Sequence, residues 1–273
     1  MSQAHAAAHA AWAEHTTPLE FLRQVETVAE ADIRKLIRDP IELFTRMIQP
    51  ALWLGIFGEV FSRTRAIPTG GLRYLDFMTP GVLAQSVLFG AIFYGISLIW
   101  ERDLGIVHKF LASPTPRSAL VLGRAVSSMA RSLAQTVLLY VLALVLGVNL
   151  RFGILSLAGV AAAVMLGSAI FSTFSLIAAC IVKSRERFMG IGQVLTMPLF
   201  FASNAIYPLS MMPAWLRAIS RVNPLTYQVD ALRGLMVESG ASTFGFAHDF
   251  AALAIAFAIL IAIATYLYPR IIT

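Results

Sequence analysis

Arg131 is set inside an otherwise apolar run, with Ser127 and Ser128 one turn before it and Gln135 one turn after. An arginine in hydrocarbon is costly, so its default reading is functional: contact with a substrate, or pairing with a carboxylate such as Glu59 or Asp76. A third reading is that it snorkels to an interface, since Arg124 begins the same helix. Two further groups carry recognisable chemistry. Glu101-Arg102-Asp103-Leu104-Gly105 leads through Phe110, Leu111, Ser113 and Pro114 to Arg117, with charges around an apolar centre. A short helix of that kind suits a groove on a soluble partner; the plainer reading is a connector. The third group runs from Asn204, Tyr207 and Pro208 through Pro213 and Trp215 to Asn223, Pro224, Tyr227 and Arg233.

Several chemistries lack their residues. No Gly-x-x-x-x-Gly-Lys-Ser/Thr occurs, and none of Lys35, Lys109 and Lys183 follows a glycine, so no loop cradles a nucleotide phosphate. His-Glu-x-x-His, Cys-x-x-Cys and Gly-x-Ser-x-Gly are also missing, and the single cysteine, Cys180, has no partner for a disulfide or a thiolate metal site. His5, His9 and His15 sit in an Ala-rich stretch that enforces no ligand geometry. Carboxylates, the usual means of ion coupling, are nearly absent from the later apolar runs. Energy for any pumping is therefore expected from another chain, and no cofactor on this one.

These residues are positioned by apolar helices. The 273 residues are 58% hydrophobic and 13% charged, with mean hydropathy +0.74, too few charges to coat a soluble surface. The net charge of +6 does not point to nucleic acid, because the basic residues lie between apolar runs. Spans of about 20 residues are needed to cross a bilayer. They are expected at about 41–61, 74–100, 119–147, 154–182, 188–207 and 248–269, the first tolerating Arg46 and Glu59 near its ends. With an even number of spans, only Arg63, Arg65, Arg73, Arg151, Arg217, Arg221 and Arg233 fall on one side, and every other Lys or Arg but Arg131 on the other. Both termini are thus expected in the cytoplasm.

No apolar core of a signal peptide precedes the first span, which is expected to insert as an uncleaved anchor. Residues 18–38 predict an amphipathic helix at the cytoplasmic interface, started by Thr17-Pro18-Leu19-Glu20 and ended by Asp39-Pro40. Pro208, Pro213 and Pro224 predict two short helices dipping into the outer leaflet before the last span, with Tyr207, Trp215 and Tyr227 at headgroup depth. The fold class is all-α and polytopic: residues 1–40 as a cytoplasmic N-terminus and 41–273 as the transmembrane domain.

At this point the chain resembles the permease subunit of ABC-2 type transporters, and most closely the drug-resistance and nodulation-factor-exporter branch. Glu101-Arg102-x-x-Gly105…Leu111-x-Ser113-Pro114 and Asn204-x-x-Tyr207-Pro208…Pro213-x-Trp215…Asn223-Pro224-x-x-Tyr227…Arg233 carry the resemblance. It implies two permease chains, expected to be identical, in a bacterial inner membrane above two ATPase subunits that hold ATP and Mg. Glu101, Arg102, Gly105, Phe110, Leu111, Ser113 and Pro114 would then couple to the ATPase. Asn204, Tyr207, Pro208, Pro213, Trp215, Asn223, Pro224, Tyr227 and Arg233 would form the outer gate. Arg131, Phe89, Phe93, Phe200 and Phe201 are candidates for the substrate cavity. The expected cargo is amphipathic, drug-like or lipid-like, as in multidrug efflux and antibiotic resistance. Export of a lipid-linked glycan or lipo-oligosaccharide is the alternative, and an ATP-independent channel or scaffold the rival from another class.

Overall fold

The computed structural model describes residues 40–64, 67–105, 117–182 and 184–268, together with positions 20, 23–27, 30 and 34. Among them the structure is helical throughout, apart from one isolated antiparallel bridge between Leu150 and Val237. The helices are α1 (Pro40–Arg46), α2 (Ile48–Leu52), α3 (Glu59–Thr64), α4 (Tyr74–Asp103), α5 (Arg117–Val145), α6 (Ile154–Ile181), α7 (Arg185–Phe201), α8 (Ala214–Val222), α9 (Pro224–Met236) and α10 (Phe246–Leu267). Four are long and apolar enough to cross a membrane: Tyr74–Asp103, Ser118–Val145, Ile154–Ile181 and Phe246–Leu267. Most of the helix expected over 18–38 lies outside the described residues.

The first expected span is interrupted rather than continuous. Pro50 lacks the N–H that would bond to Arg46 and its ring crowds that carbonyl, and α1 ends at Arg46. After α2 the chain widens into a π-helical stretch, Trp53–Gly58, before α3 resumes. Ile41, Phe44, Ile48 and Leu52, at three- and four-residue spacing, are all more than half exposed. The fifth expected span, α7, also stops early, at Phe201 instead of Tyr207. Ser203 donates to the Phe200 carbonyl at 2.7 Å and accepts from Ala205 N at 3.3 Å, local bonds that compete with further helix.

α4 and α6 form the centre. They pack on each other, α5, α7 and α9 pack on both, and α10 packs on α6, α9 and α5. The larger core cluster gathers α4 residues such as Met78, Val82, Leu83 and Leu88 with Val164, Ile170, Val229 and Leu232. A second cluster closes the other end of the bundle, with Leu98, Ile99, Leu120, Val121, Leu176, Phe188 and Tyr268. At the loop end, Asp76 accepts from the Arg73 guanidinium at 2.9 and 3.0 Å and from Asn149 N at 3.2 Å. Arg151 reaches the carbonyls of Gly234 and Glu238 at 3.1 and 2.7 Å, which ties the α5–α6 turn to the end of α9.

Candidate functional site

Three places in this frame hold the residues singled out by sequence. The first is the end of α4. Glu101 is 8% exposed and pairs with Arg124 of α5, whose Nη2 donates to Glu101 Oε2, and the Tyr268 hydroxyl bonds to the same guanidinium. Two residues on, Asp103 accepts from Arg102 at 2.9 and 3.1 Å and from Arg185 of α7 at 2.8 and 3.1 Å. The Arg185 guanidinium lies 3.6 Å above the Trp100 ring. α4 then stops at Gly105, whose φ of +73° is left-handed backbone that a side chain would strain. Glu101 is therefore an internal clamp between α4, α5 and the end of α10, while Arg102 and Asp103 are nearer the surface. Phe110, Leu111, Ser113 and Pro114 lie outside the described residues.

The second place is a cavity of about 260 Å³ between α1–α2, α4 and α5. Phe89 and Phe93 line it, their rings 6.2 Å apart, beside Arg46, Gln49, Gln85, Ser86 and Gln135. Gly90 leaves space at its wall: a Cβ there would lie 3.3 Å from Arg46 Nη1 and 3.5 Å from Gln135 Oε1. Arg46, expected from sequence only as a tolerated end residue, thus belongs to the cavity. Its signal was charge within an apolar run, the same signal that singled out Arg131. Gln85 is 3% exposed, and its Nε2 has no hydrogen-bond partner.

The other cavity candidates go elsewhere. Arg131 stands one turn before Gln135 and packs over the Tyr94 ring at 5.1 Å, outside the cavity lining. The carboxylates considered for it are engaged by neighbours in sequence: Glu59 with Arg63 at 3.0 Å, Asp76 with Arg73. Phe200 is buried in the core, its ring edge-on to Trp53 at 5.8 Å, and Phe201 faces an apolar groove between α7 and α8. Adjacent residues on a helix point about 100° apart, so the pair could not share one wall.

The third place is the block after α7. Two short helices are present, as the prolines predict, preceded by a 3₁₀ turn at Leu209–Met211 that follows Pro208. Pro213 precedes α8. Arg217 closes that turn by donating to the carbonyls of Leu209, Ser210 and Met212 at 2.9–3.3 Å. Asn223 caps α9, accepting from Leu225 N at 3.0 Å with Pro224 at the first helical position, and its Nδ2 reaches the Leu199 carbonyl of α7 at 2.7 Å. Tyr227 donates to the Arg221 carbonyl at 2.6 Å, and Tyr207 to that of Phe201. Partial burial pushes the Tyr207 phenol up from its ordinary value.

Below these lies a polar knot. Arg233 donates to the Asn204 carbonyl at 2.7 Å and stacks 3.9 Å from the Phe77 ring. Asp230, fully buried, accepts from Ser242 Oγ at 2.9 Å and from the N–H groups of Thr243 and Phe244 at 2.7 and 2.9 Å, and Ser242 also lies 2.8 Å from Asp249. Asp230, Ser242 and Asp249 are not among the gate residues proposed from sequence; Asp230 stands one turn before Arg233 on α9, and only the fold brings Ser242 and Asp249 to it. Outside the knot, Leu195, Phe201, Tyr207, Trp215, Ile219 and Val222 line an apolar groove of about 620 Å³.

The arrangement offers internal ion pairs, a polar-and-aromatic cavity and a hydrogen-bonded block of short helices after α7, and among the described residues no group of three His, Cys, Asp or Glu that could hold a metal. The family profile of ABC-2 type transporters matches residues 23–237. The chain belongs to that family. It is 29% identical over 235 residues to a protein named as transport permease ycf38 of Cyanophora paradoxa, covering 82% of this chain and 77% of that one. To the daunorubicin resistance ABC transporter permease protein DrrB1 of Streptomyces coeruleorubidus it is 27% identical over 198 residues, 72% of this chain and 69% of the relative. The inner membrane transport permease YadH of Escherichia coli K12 is 22% identical over 216 residues, 77% and 81% of the two chains. With four membrane-crossing helices and permease relatives, this ABC-2 family member is a multi-pass membrane protein.

Proposed function

We propose that this chain is the membrane subunit of an ATP-driven exporter that moves an amphipathic, drug-like or lipid-like substrate outward. The observation that carries the reading is the ABC-2 family match over residues 23–237, with a daunorubicin resistance permease among the relatives. The energy comes from a separate ATPase subunit that holds ATP and Mg, in two copies beneath two identical permease chains. The broken stretch 40–64 and the 17-residue α7 act as the first and fifth of six spans in a bacterial inner membrane. Both termini lie in the cytoplasm, residues 1–40 carry the interfacial helix, and α8–α9 sit in the outer leaflet as the exit gate.

In this reading the segment after Gly105 docks on the ATPase. Closure of the ATPases displaces it, and the Glu101–Arg124 and Asp103–Arg185 pairs pass the movement to α5 and α7 as one body. Export then requires that the outward-open state bind substrate more weakly than the inward-open state, because equal affinity shifts no population.

The test is a mild-detergent pull-down of the tagged chain from its native membrane, followed by reconstitution into vesicles with whatever P-loop subunit accompanies it. Expected are a stoichiometric ATPase partner and substrate flux that needs ATP. Flux persisting without nucleotide would establish a channel, and recovery of the chain without any ATPase a scaffold. ATP-dependent flux confined to a lipid-linked glycan would replace the drug-like cargo.

A further inference from the structure

We propose that Asp249 carries a proton, and that this proton latches the turn 242–245 between α9 and α10, so that alkaline conditions open the latch. The inference stands apart from the exporter reading, since no ATPase or cargo enters it.

The count of hydrogens at Ser242 carries it. A serine hydroxyl has one hydrogen to donate and two lone pairs with which to accept. The Gly245 N–H donates to Ser242 Oγ at 2.7 Å and takes one lone pair. The same oxygen lies 2.9 Å from Asp230 Oδ2 and 2.8 Å from Asp249 Oδ2. Its single hydrogen fills only one of those two contacts, and two bare carboxylates would leave the other a close approach of lone pairs. A second hydrogen, on one of the carboxyls, makes both contacts hydrogen bonds.

The surroundings assign that hydrogen to Asp249. Asp230 Oδ2 also accepts from the N–H groups of Thr243 and Phe244 at 2.7 and 2.9 Å, donors that fit an ionised acceptor. Asp249 has no such support: its Oδ1 is buried without a hydrogen-bond partner, which costs a charged group far more than a neutral acid. Both carboxyls are fully buried, and Arg233, one turn after Asp230 on α9, is the guanidinium of this knot. With a proton on Asp249 the buried charge sums to zero. Asp249 then donates from Oδ2 to Ser242, which accepts twice and passes its own hydrogen to Asp230.

Other ionisable groups gather at this end of the elements packed on α10. They are Tyr227 on α9, whose ring lies 5.6 Å from that of His248, Glu238 on the connecting turn, and Arg151, which reaches the Gly234 and Glu238 carbonyls. α6 holds no Asp, Glu, Lys, Arg or His, and α5 holds none after Arg131. Loss of the proton leaves Asp249 charged and buried opposite Asp230, with one hydroxyl hydrogen for two carboxylates. The turn, held to α9 through Thr243 and Phe244, then parts from the start of α10. Because the latched form holds a proton that the open form gives up, raising the pH favours opening.

The experiment uses the full chain in phosphatidylcholine nanodiscs. Infrared spectra of the parent at neutral pH should contain the C=O stretch of a protonated carboxyl that disappears in alkaline buffer and is absent from Asp249→Asn. Hydrogen exchange of the peptide spanning 242–246, corrected for the intrinsic pH dependence of amide exchange, should show protection falling at least about tenfold in alkaline buffer, the size of one hydrogen bond. Asp249→Asn, whose amide donates to Ser242 at any pH, should keep its protection in both buffers, whereas Ser242→Ala should lose it in both. A parent turn equally protected at the two pH values, or an Asp249→Asn chain that keeps the carboxyl band, overturns the proposal. Should Asp249→Asn fail to fold, the parent's own band and exchange decide.

Discussion

α4 and the stretch 40–64 are both apolar and both flank the cavity, yet they are held in opposite ways. α4 is buried along most of its length, its start bonded through Asp76 and its end clamped through Glu101. The first stretch breaks at Met47, widens at Trp53–Gly58 and leaves Ile41, Phe44, Ile48, Leu52 and Ile56 exposed, with Leu54 buried in the core. The difference lies in partners rather than composition: α4 is enclosed by four other helices, whereas among the described residues the first stretch packs mainly on α4. A π-helical turn in a stretch packed mainly on one helix can shift register with little loss of packing, whereas α4 can move only with its neighbours. A machine that opens a path between them would flex the first and carry the second as a rigid piece.

The strongest way to break this contrast is at the clamp. Glu101→Ala leaves Arg124 charged and buried without its carboxylate, and a loss of about 3–5 kcal/mol is expected, read as thermal unfolding in detergent. Replacing Glu101 and Arg124 together with apolar residues of similar size should destabilise less than the single change, which a double-mutant cycle measures. Next is Gly81→Ala, where the added Cβ would lie 2.5 Å from the Ala205 carbonyl; overpacking of about 1–3 kcal/mol should lower the same melting temperature.

Gly55→Ala, in the π-helical stretch, sharpens the comparison because its Cβ would meet nothing within 4 Å. Stability should hold or rise by roughly 0.5–1 kcal/mol, and a fall would show that the first stretch is packed as tightly as α4. The smallest effect belongs to the exposed Glu59–Arg63 pair. Glu59→Gln should change stability by no more than about 1 kcal/mol, less in high salt, as a denaturant titration at two ionic strengths would detect.

Much of this was legible in the residues. Long uncharged runs must become helices in lipid because only a helix satisfies every backbone group within its own segment, so the four membrane-crossing helices follow from hydropathy and length. Pro208, Pro213 and Pro224 forecast the broken block after α7, and Asn223-Pro224 reads as a helix start from residue types alone. The two family-like blocks led to the ABC-2 family that the profile match establishes. Single-residue bond preferences and transfer free energies suffice for the helices and their breaks.

Side-chain partners were settled only by the tertiary structure, because they depend on which helices face one another. Glu101 read as a contact for another subunit and turned inward to Arg124 once α4 lay beside α5. Phe200 and Phe201 read as candidates for one cavity, and the fold sends the first into the core and the second to an apolar groove. Arg46 read as a terminal charge and became part of a cavity because Gly90, some forty positions along the chain, leaves space opposite it. Hydropathy is a property of a segment and survives without neighbours, whereas a hydrogen bond or an ion pair exists only between two groups that the fold brings within about 3 Å.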